Sequence, residues 1–179
     1  KNNPKSDGTN FNIYRDGLKV YTTIDAGMQS YAEKAMTSHM SNLQNEFTKQ
    51  NKYNKTAPFR DVESEEIDRI IKNSIRRSER YRAMTAEGKS KEEILKSFDK
   101  KRKMRIFSWK GDIDTVMTPR DSIRYYKNYL QGAMMSMNPQ TGEVKAYVGG
   151  IDYKHFKYDM VSTGKRQIGS TFKPFVYAT

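Results

Sequence analysis

The stretch Ala133–Val148 constrains the fold more than any other part of the chain. Two runs suited to strands, Ala133–Asn138 and Glu143–Val148, flank Pro139-Gln140-Thr141-Gly142. Proline presets φ for the first corner of a type I turn, and Gly142 can take a left-handed conformation at its end. The spacing predicts a β-hairpin that stops at Gly149-Gly150. Far upstream the periodicity is different. Met28, Tyr31, Ala32, Ala35, Met36, His39, Met40, Leu43 and Phe47 recur at three- and four-residue spacing. They predict one long amphipathic helix over 26–49, with Asp25 placed to cap it. Before Asp25, Leu18, Val20, Thr22 and Ile24 alternate with Lys19, Tyr21 and Thr23, the pattern of a strand. Long helix and local hairpin together indicate the α+β class.

The middle of the chain reads as a small inserted unit. Ser64 opens a helical pattern carrying Ile67, Ile70, Ile71, Ile75 and Tyr81 towards Gly88. Ser90 and Glu93 have the spacing of a capping box before Ile94, Leu95 and Phe98. Met104, Ile106 and Ser108 then alternate with Arg105, Phe107 and Trp109, and Gly111-Asp112 turns the chain into Ile113–Met117. Ile67, Ile71, Ile75, Ile94, Phe98 and Trp109 are the expected apolar cluster of this unit. Thr118, Pro119 and Asp121 start another helix, with Ile123, Tyr126 and Leu130 before Gly132. The expected division is 1–55, strand plus long helix; 56–118, helical and hairpin insertion; and 119–179, the start of a further domain.

Composition removes several function classes. With 35% hydrophobic and 30% charged residues, the chain is polar for a compact domain. It has no apolar run long enough to span a bilayer and opens at Lys1 without a signal segment. It therefore reads as a piece of a longer protein, whose targeting or membrane segment lies elsewhere. Cysteine is absent, which excludes thiolate zinc sites and disulfide scaffolds. His39 and His155 have no metal-ligand company, so neither metal nor cofactor is expected. The net charge of +12 suits nucleic acid, an anionic membrane or an anionic cell-wall polymer. The basic residues are spread along the chain with no concentrated arm, which argues against nucleic acid. Tyr31, Tyr81 and Tyr126 fall on helix stripes, as packing residues do. Gly88-Lys89-Ser90 lacks the first glycine of a phosphate loop, since Ala83 stands there.

The chemistry rests on Ser-x-x-Lys, a weak pattern that occurs at Ser97–Lys100, Ser162–Lys165 and Ser170–Lys173. Context selects the last. Ser97 ends an amphipathic helix in a charged stretch, and Ser162 sits in a turn. Gly169 permits an unusual backbone turn before Ser170, and Pro174 is tolerated only in a helix's first turn. A helix through Lys173 must therefore begin near Ser170, where free N–H groups favour developing negative charge. Lys173 follows one turn later on the same face. The residues alone fit either a helix-capping serine with a solvated lysine or, with the lysine desolvated, a base towards the serine hydroxyl.

Three segments carry a resemblance. Arg166–Tyr177 (RQIGSTFKPFVY) resembles the active-serine segment of penicillin-binding proteins. Residues 133–150 resemble the strand–turn–strand just upstream of it in that family. Residues 17–29 (GLKVYTTIDAGMQ) resemble the junction after the glycosyltransferase domain of the bifunctional, class A members. The resemblance implies a partial, β-lactamase-like transpeptidase domain on the periplasmic side of the cytoplasmic membrane. It implies Ser170 as the acylated nucleophile and Lys173 as its general base. Peptidoglycan stem peptides and β-lactams would be the parent's ligands, and other cell-wall synthesis proteins its partners. The family also uses Ser-x-Asn and Lys-Thr/Ser-Gly motifs after the serine, and neither follows Ser170 in this sequence. Ser136-Met137-Asn138 matches Ser-x-Asn in letters but precedes Ser170, in a strand. The 179-residue piece is therefore expected to be inactive. A serine β-lactamase or carboxypeptidase relative, and a non-catalytic basic module that contacts cell-wall polymer or a partner protein, are the alternative readings.

Overall fold

Asp25 begins the longest element. Its carboxylate accepts a hydrogen bond from Met28 N at 2.8 Å and opens α1, Ala26–Gln50, as the periodicity predicts. The computed structural model describes residues 4–178. Downstream, β3 (Met134–Met137) and β4 (Val144–Val148) form the expected antiparallel hairpin, with an irregularity between Ser136 and Met137. Asn138 Oδ1 accepts from Gln140 N and Thr141 N, and Gly142 closes the turn at φ +74°. α1 lies on this hairpin, with Ala32 and Met36 against Ala146 and Val148.

Residues 18–24 do not form the expected strand. Val20 is 73% exposed and Tyr21 89%, so the alternation has no sheet to pack against. The chain meets the edge of β4 only at its end, where Thr23 Oγ1 donates to Val144 O and Asp25 N to Lys145 O. The helix then starts at once. Next along that edge stands a side chain instead of a strand: Gln29 Oε1 accepts from Tyr147 N at 2.7 Å while its Nε2 donates to Tyr147 O at 3.0 Å.

The single helix expected from Ser64 towards Gly88 is two, α2 (Ser64–Arg77) and α3 (Glu79–Ala86). Ser78 breaks it. Its Oγ donates to Ile75 O and accepts from Tyr81 N, so one serine ends α2 and caps α3. The bend brings Tyr81 and Met84 back onto the isoleucine stripe. α4 (Lys91–Ser97) starts with the full capping box: Glu93 N donates to Ser90 Oγ, and Ser90 N to Glu93 Oε2. Ile67, Ile71, Ile75, Ile94 and Phe98 form one buried cluster.

Trp109, expected in that cluster, belongs to another. β1 (Arg102–Ile106) pairs with β2 (Ile113–Met117), but the strand ends before Phe107. The connecting loop carries Phe107 and Trp109 away from α2, α3 and α4, to Met40, Ile151, Tyr126, Tyr129, Leu130 and Phe156. α5 (Pro119–Lys127), capped by Thr118 Oγ1 accepting from Asp121 N, serves both clusters. It gives Ile123 to the first and Tyr126 to the second. The chain leaving α5 is held by Gln44 of α1, whose Nε2 donates to Asn128 O and whose Oε1 accepts from Leu130 N.

Candidate active-serine segment

Gly169, at φ +54°, starts a 3₁₀ turn over Gly169–Phe172 that passes into α6, Lys173–Tyr177. Ser170 is thus the second residue of a helical stretch, and Pro174 sits in the first turn of α6, where its missing N–H costs nothing. A 3₁₀ turn places residues three apart on one face, so Ser170 and Lys173 lie along the same side. All residues from Lys165 to Ala178 are exposed, including Phe172, Phe175 and Tyr177. Among the described residues, no hydrogen bond is made by the Ser170 hydroxyl or the Lys173 ammonium.

The competing serines are engaged. Ser97 Oγ donates to Ile94 O at 2.7 Å, and Ser162 Oγ to Asp159 Oδ2 at 2.6 Å. Ser136 pairs with Ala146 across the hairpin. Of the Ser-x-x-Lys serines, all within the described residues, only Ser170 has a hydroxyl that makes no hydrogen bond. No group of His, Cys, Asp or Glu among the described residues is arranged to hold a metal ion.

The approach to Ser170 is a loop, 149–164, pinned at both ends. Met160 N donates to Gly149 O, and Asp159 accepts from Ser162 Oγ, Tyr147 Oη and the amides of Val161 and Ser162. Between this loop and α1 lies a cleft of about 510 Å³ lined by Gln29, Glu33, Met36, Tyr147, Phe156 and Asp159. The Ser162 hydroxyl, followed by the Tyr147 phenol, holds the Asp159 carboxyl at about 2. A carboxyl depressed below its ordinary value stabilises the fold above that value and loses the effect as pH falls towards 2. Corrected for intrinsic rates, hydrogen exchange at Val161 and Ser162 is expected to be protected at pH 5. Protection should fade between pH 4 and 2, and Asp159→Asn should remove that dependence. A pH-independent profile in the native protein would contradict it.

At the loop's far corner a second network forms, one that no local sequence pattern signals. Asp112, at the tip of the β1–β2 hairpin, takes the Lys154 ammonium on Oδ2 and His155 Nε2 on Oδ1, the latter at 2.8 Å. These partners, Lys154 first, hold the Asp112 carboxyl below the usual carboxylate range. His155 Nδ1 meets Tyr126 Oη at 3.2 Å, and Tyr126 Oη accepts from Phe107 N. Tyr125 and Tyr129 both donate to Phe107 O, and burial pushes the Tyr129 phenol up. His155, which has no metal-ligand company in the sequence, is a junction of the fold.

Comparison with known proteins points to a family. The penicillin-binding protein middle domain matches residues 54–130. Penicillin-binding protein 1A of Rickettsia typhi is 30% identical over 186 residues, covering 92% of this chain and 23% of that protein. These matches, which cover most of the chain, support a penicillin-binding protein fragment. Penicillin-binding protein 1A of Neisseria flavescens is 25% identical over 196 residues, again 92% of this chain and 23% of the relative. That of Neisseria gonorrhoeae reaches 49% identity over 49 residues, 27% of this chain and 6% of the relative. The chain therefore spans about a quarter of the length of the first two relatives. No solved structure matches it. Among its described residues, no helix is long and apolar enough to cross a membrane.

Proposed function

We propose that the chain carries the transpeptidase serine of a class A penicillin-binding protein that cross-links peptidoglycan. Its parent would also be a glycosyltransferase, anchored in the cytoplasmic membrane with this segment on the periplasmic side. Residues 1–55 form the linker region, 56–118 an insertion, and 119–179 the start of the transpeptidase domain. Ser170 Oγ attacks the penultimate D-Ala carbonyl of a stem peptide while Lys173 takes its proton. The terminal D-Ala leaves with a proton, and an amine of a neighbouring stem attacks the ester and frees Ser170. A β-lactam imitates the D-Ala-D-Ala end and stops at the ester.

The observation that carries this reading is the free hydroxyl of Ser170, beside a lysine on the same helical face, where Ser97 and Ser162 are bonded internally. The test uses the full-length protein. Incubated with labelled penicillin, it is expected to gain one adduct per molecule, mapped by peptide mass spectrometry to Ser170. Ser170→Ala should abolish the label, and Lys173→Ala should slow acylation by about 10²–10⁴. A full-length protein that takes no label, or takes it elsewhere, overturns the proposal.

A further inference from the structure

A run of positive charge enters and fills β1. Lys100, Lys101, Arg102, Lys103 and Arg105 are all exposed, and nearby acid does not balance them. Asp99 is taken by Arg120 and Asp114 by Arg105. Among the described residues, Lys100, Lys101, Arg102 and Lys103 make no ion pair. The hairpin also leaves its backbone open. β1 and β2 form a two-stranded sheet, so each strand has one edge without a strand neighbour. Among the described residues, no backbone hydrogen bond from outside the hairpin reaches Arg102–Ile106 or Ile113–Met117. Side chains alternate across the ribbon. Lys103 stands opposite Val116 and Arg105 opposite Asp114 on the exposed face, whereas Ile106, on the other face, is buried.

We propose that the outer edge of β1 is a docking strand for an extended acidic segment of a partner protein. The edge supplies peptide groups for a further strand, and the cations supply the selectivity. A strand repeats its side chains on one face about every 7 Å, the spacing of Lys103 and Arg105. Carboxylates at alternate positions of a paired guest strand therefore come to lie beside both. The same charges repel a second copy of this hairpin, as lysines on an open edge do. A bilayer fits less well. The exposed Val116 and Ile113 lie on opposite faces of the ribbon, and Trp109 near its tip packs inward on Phe107 and Tyr129. No single apolar face is left to enter lipid. The surface lies within residues 54–130, the stretch that the middle domain matches, and the inference is independent of Ser170.

The experiment uses the full-length protein and a short fluorescent peptide in which glutamate alternates with threonine. Anisotropy reads binding, and hydrogen exchange reads the backbone. The peptide is expected to bind, more weakly as salt is raised, and to slow exchange within Arg102–Ile106. Lys103→Glu with Arg105→Glu should weaken binding about tenfold. Lys72→Glu with Lys91→Glu makes the same change of charge at exposed helix positions of the unit, and should alter binding less than about twofold. N-methylation of alternate peptide residues, made in both registers, should abolish binding in one register and spare it in the other. Should the Lys103→Glu, Arg105→Glu protein fail to fold, exchange and the N-methylated peptides decide. Absence of binding, binding without protection of Arg102–Ile106, or an equal loss in both charge-reversed proteins overturns the inference. So does equal binding of a peptide with its glutamates in one block. Capture of phosphatidylglycerol vesicles in place of the peptide also overturns it, and would assign the charge to a membrane surface.

Discussion

Incubated with penicillin, the 179-residue chain is expected to show no mass shift in intact-protein mass spectrometry. Ser170 and Lys173 share a helical face, yet alignment is only one requirement of acyl transfer. The Lys173 side chain is exposed and hydrated rather than desolvated, so the serine lacks an activated base. Ser170 N can offer one donor to an oxyanion, where a working oxyanion hole uses more than one. No Ser-x-Asn or Lys-Thr/Ser-Gly follows Ser170 in this sequence to position the substrate carboxylate or relay protons. Loss of a single oxyanion donor typically slows acylation by about 10²–10³, and here several groups are missing together. A stoichiometric adduct on this chain would show that the 3₁₀ turn and Lys173 suffice.

The second large effect concerns stability. Phe98 is 1% exposed and closes the cluster formed by Ile67, Ile71, Ile75 and Ile94, with the Arg80 guanidinium 5.8 Å from its ring. Phe98→Ala removes the largest buried side chain of that cluster and leaves a cavity that short, capped helices cannot easily close. Such changes cost about 3–5 kcal/mol. For a chain of this size that is a fall of roughly 6–20 °C in Tm. Ile70, on the same helix but only half-buried, should cost markedly less when replaced by alanine. Because α5 gives side chains to both clusters, the near-ultraviolet signal of Trp109 is expected to fall with the helical signal, in one transition. A Phe98→Ala melting point within 2 °C of the parent would show that the cluster does not hold the unit together.

The elements most legible in the sequence were those written in local chemistry. Asp25, the Ser90–Glu93 box, Thr118-Pro119 and the Pro139–Gly142 turn each bind their own neighbours, so a few adjacent residues suffice to read them. Ser78 was missed because the isoleucine spacing runs on through it, and only its two hydrogen bonds reveal the break. The strand at 18–24 failed for the opposite reason: alternation needs a sheet to face, and this segment meets β4 only at its last residues. Trp109 was assigned by sequence proximity, whereas the loop after β1 carries it across to α1 and α5. The serine segment was legible through Gly169 and Pro174, whose backbone limits fix where a helix can begin. The Asp112 network was not. Its members are separated by more than 40 residues, and a carboxylate in a turn carries no sign of which cation will reach it.

Gln29 and Gln44 give α1 a property that its length alone does not. Each turns a side-chain amide towards a peptide group of another segment, one at Tyr147 on the hairpin and one between Asn128 and Leu130 after α5. Fifteen residues of helix separate them, a rise of about 22 Å at 1.5 Å per residue. α1 is therefore a measuring rod, notched at two points, against which the hairpin and the exit of α5 are both set. A one-residue insertion between the two glutamines would turn one notch by about 100° relative to the other. The helix itself would be intact, yet it could no longer hold both clasps, and the spacing of the two structures it gauges would be lost.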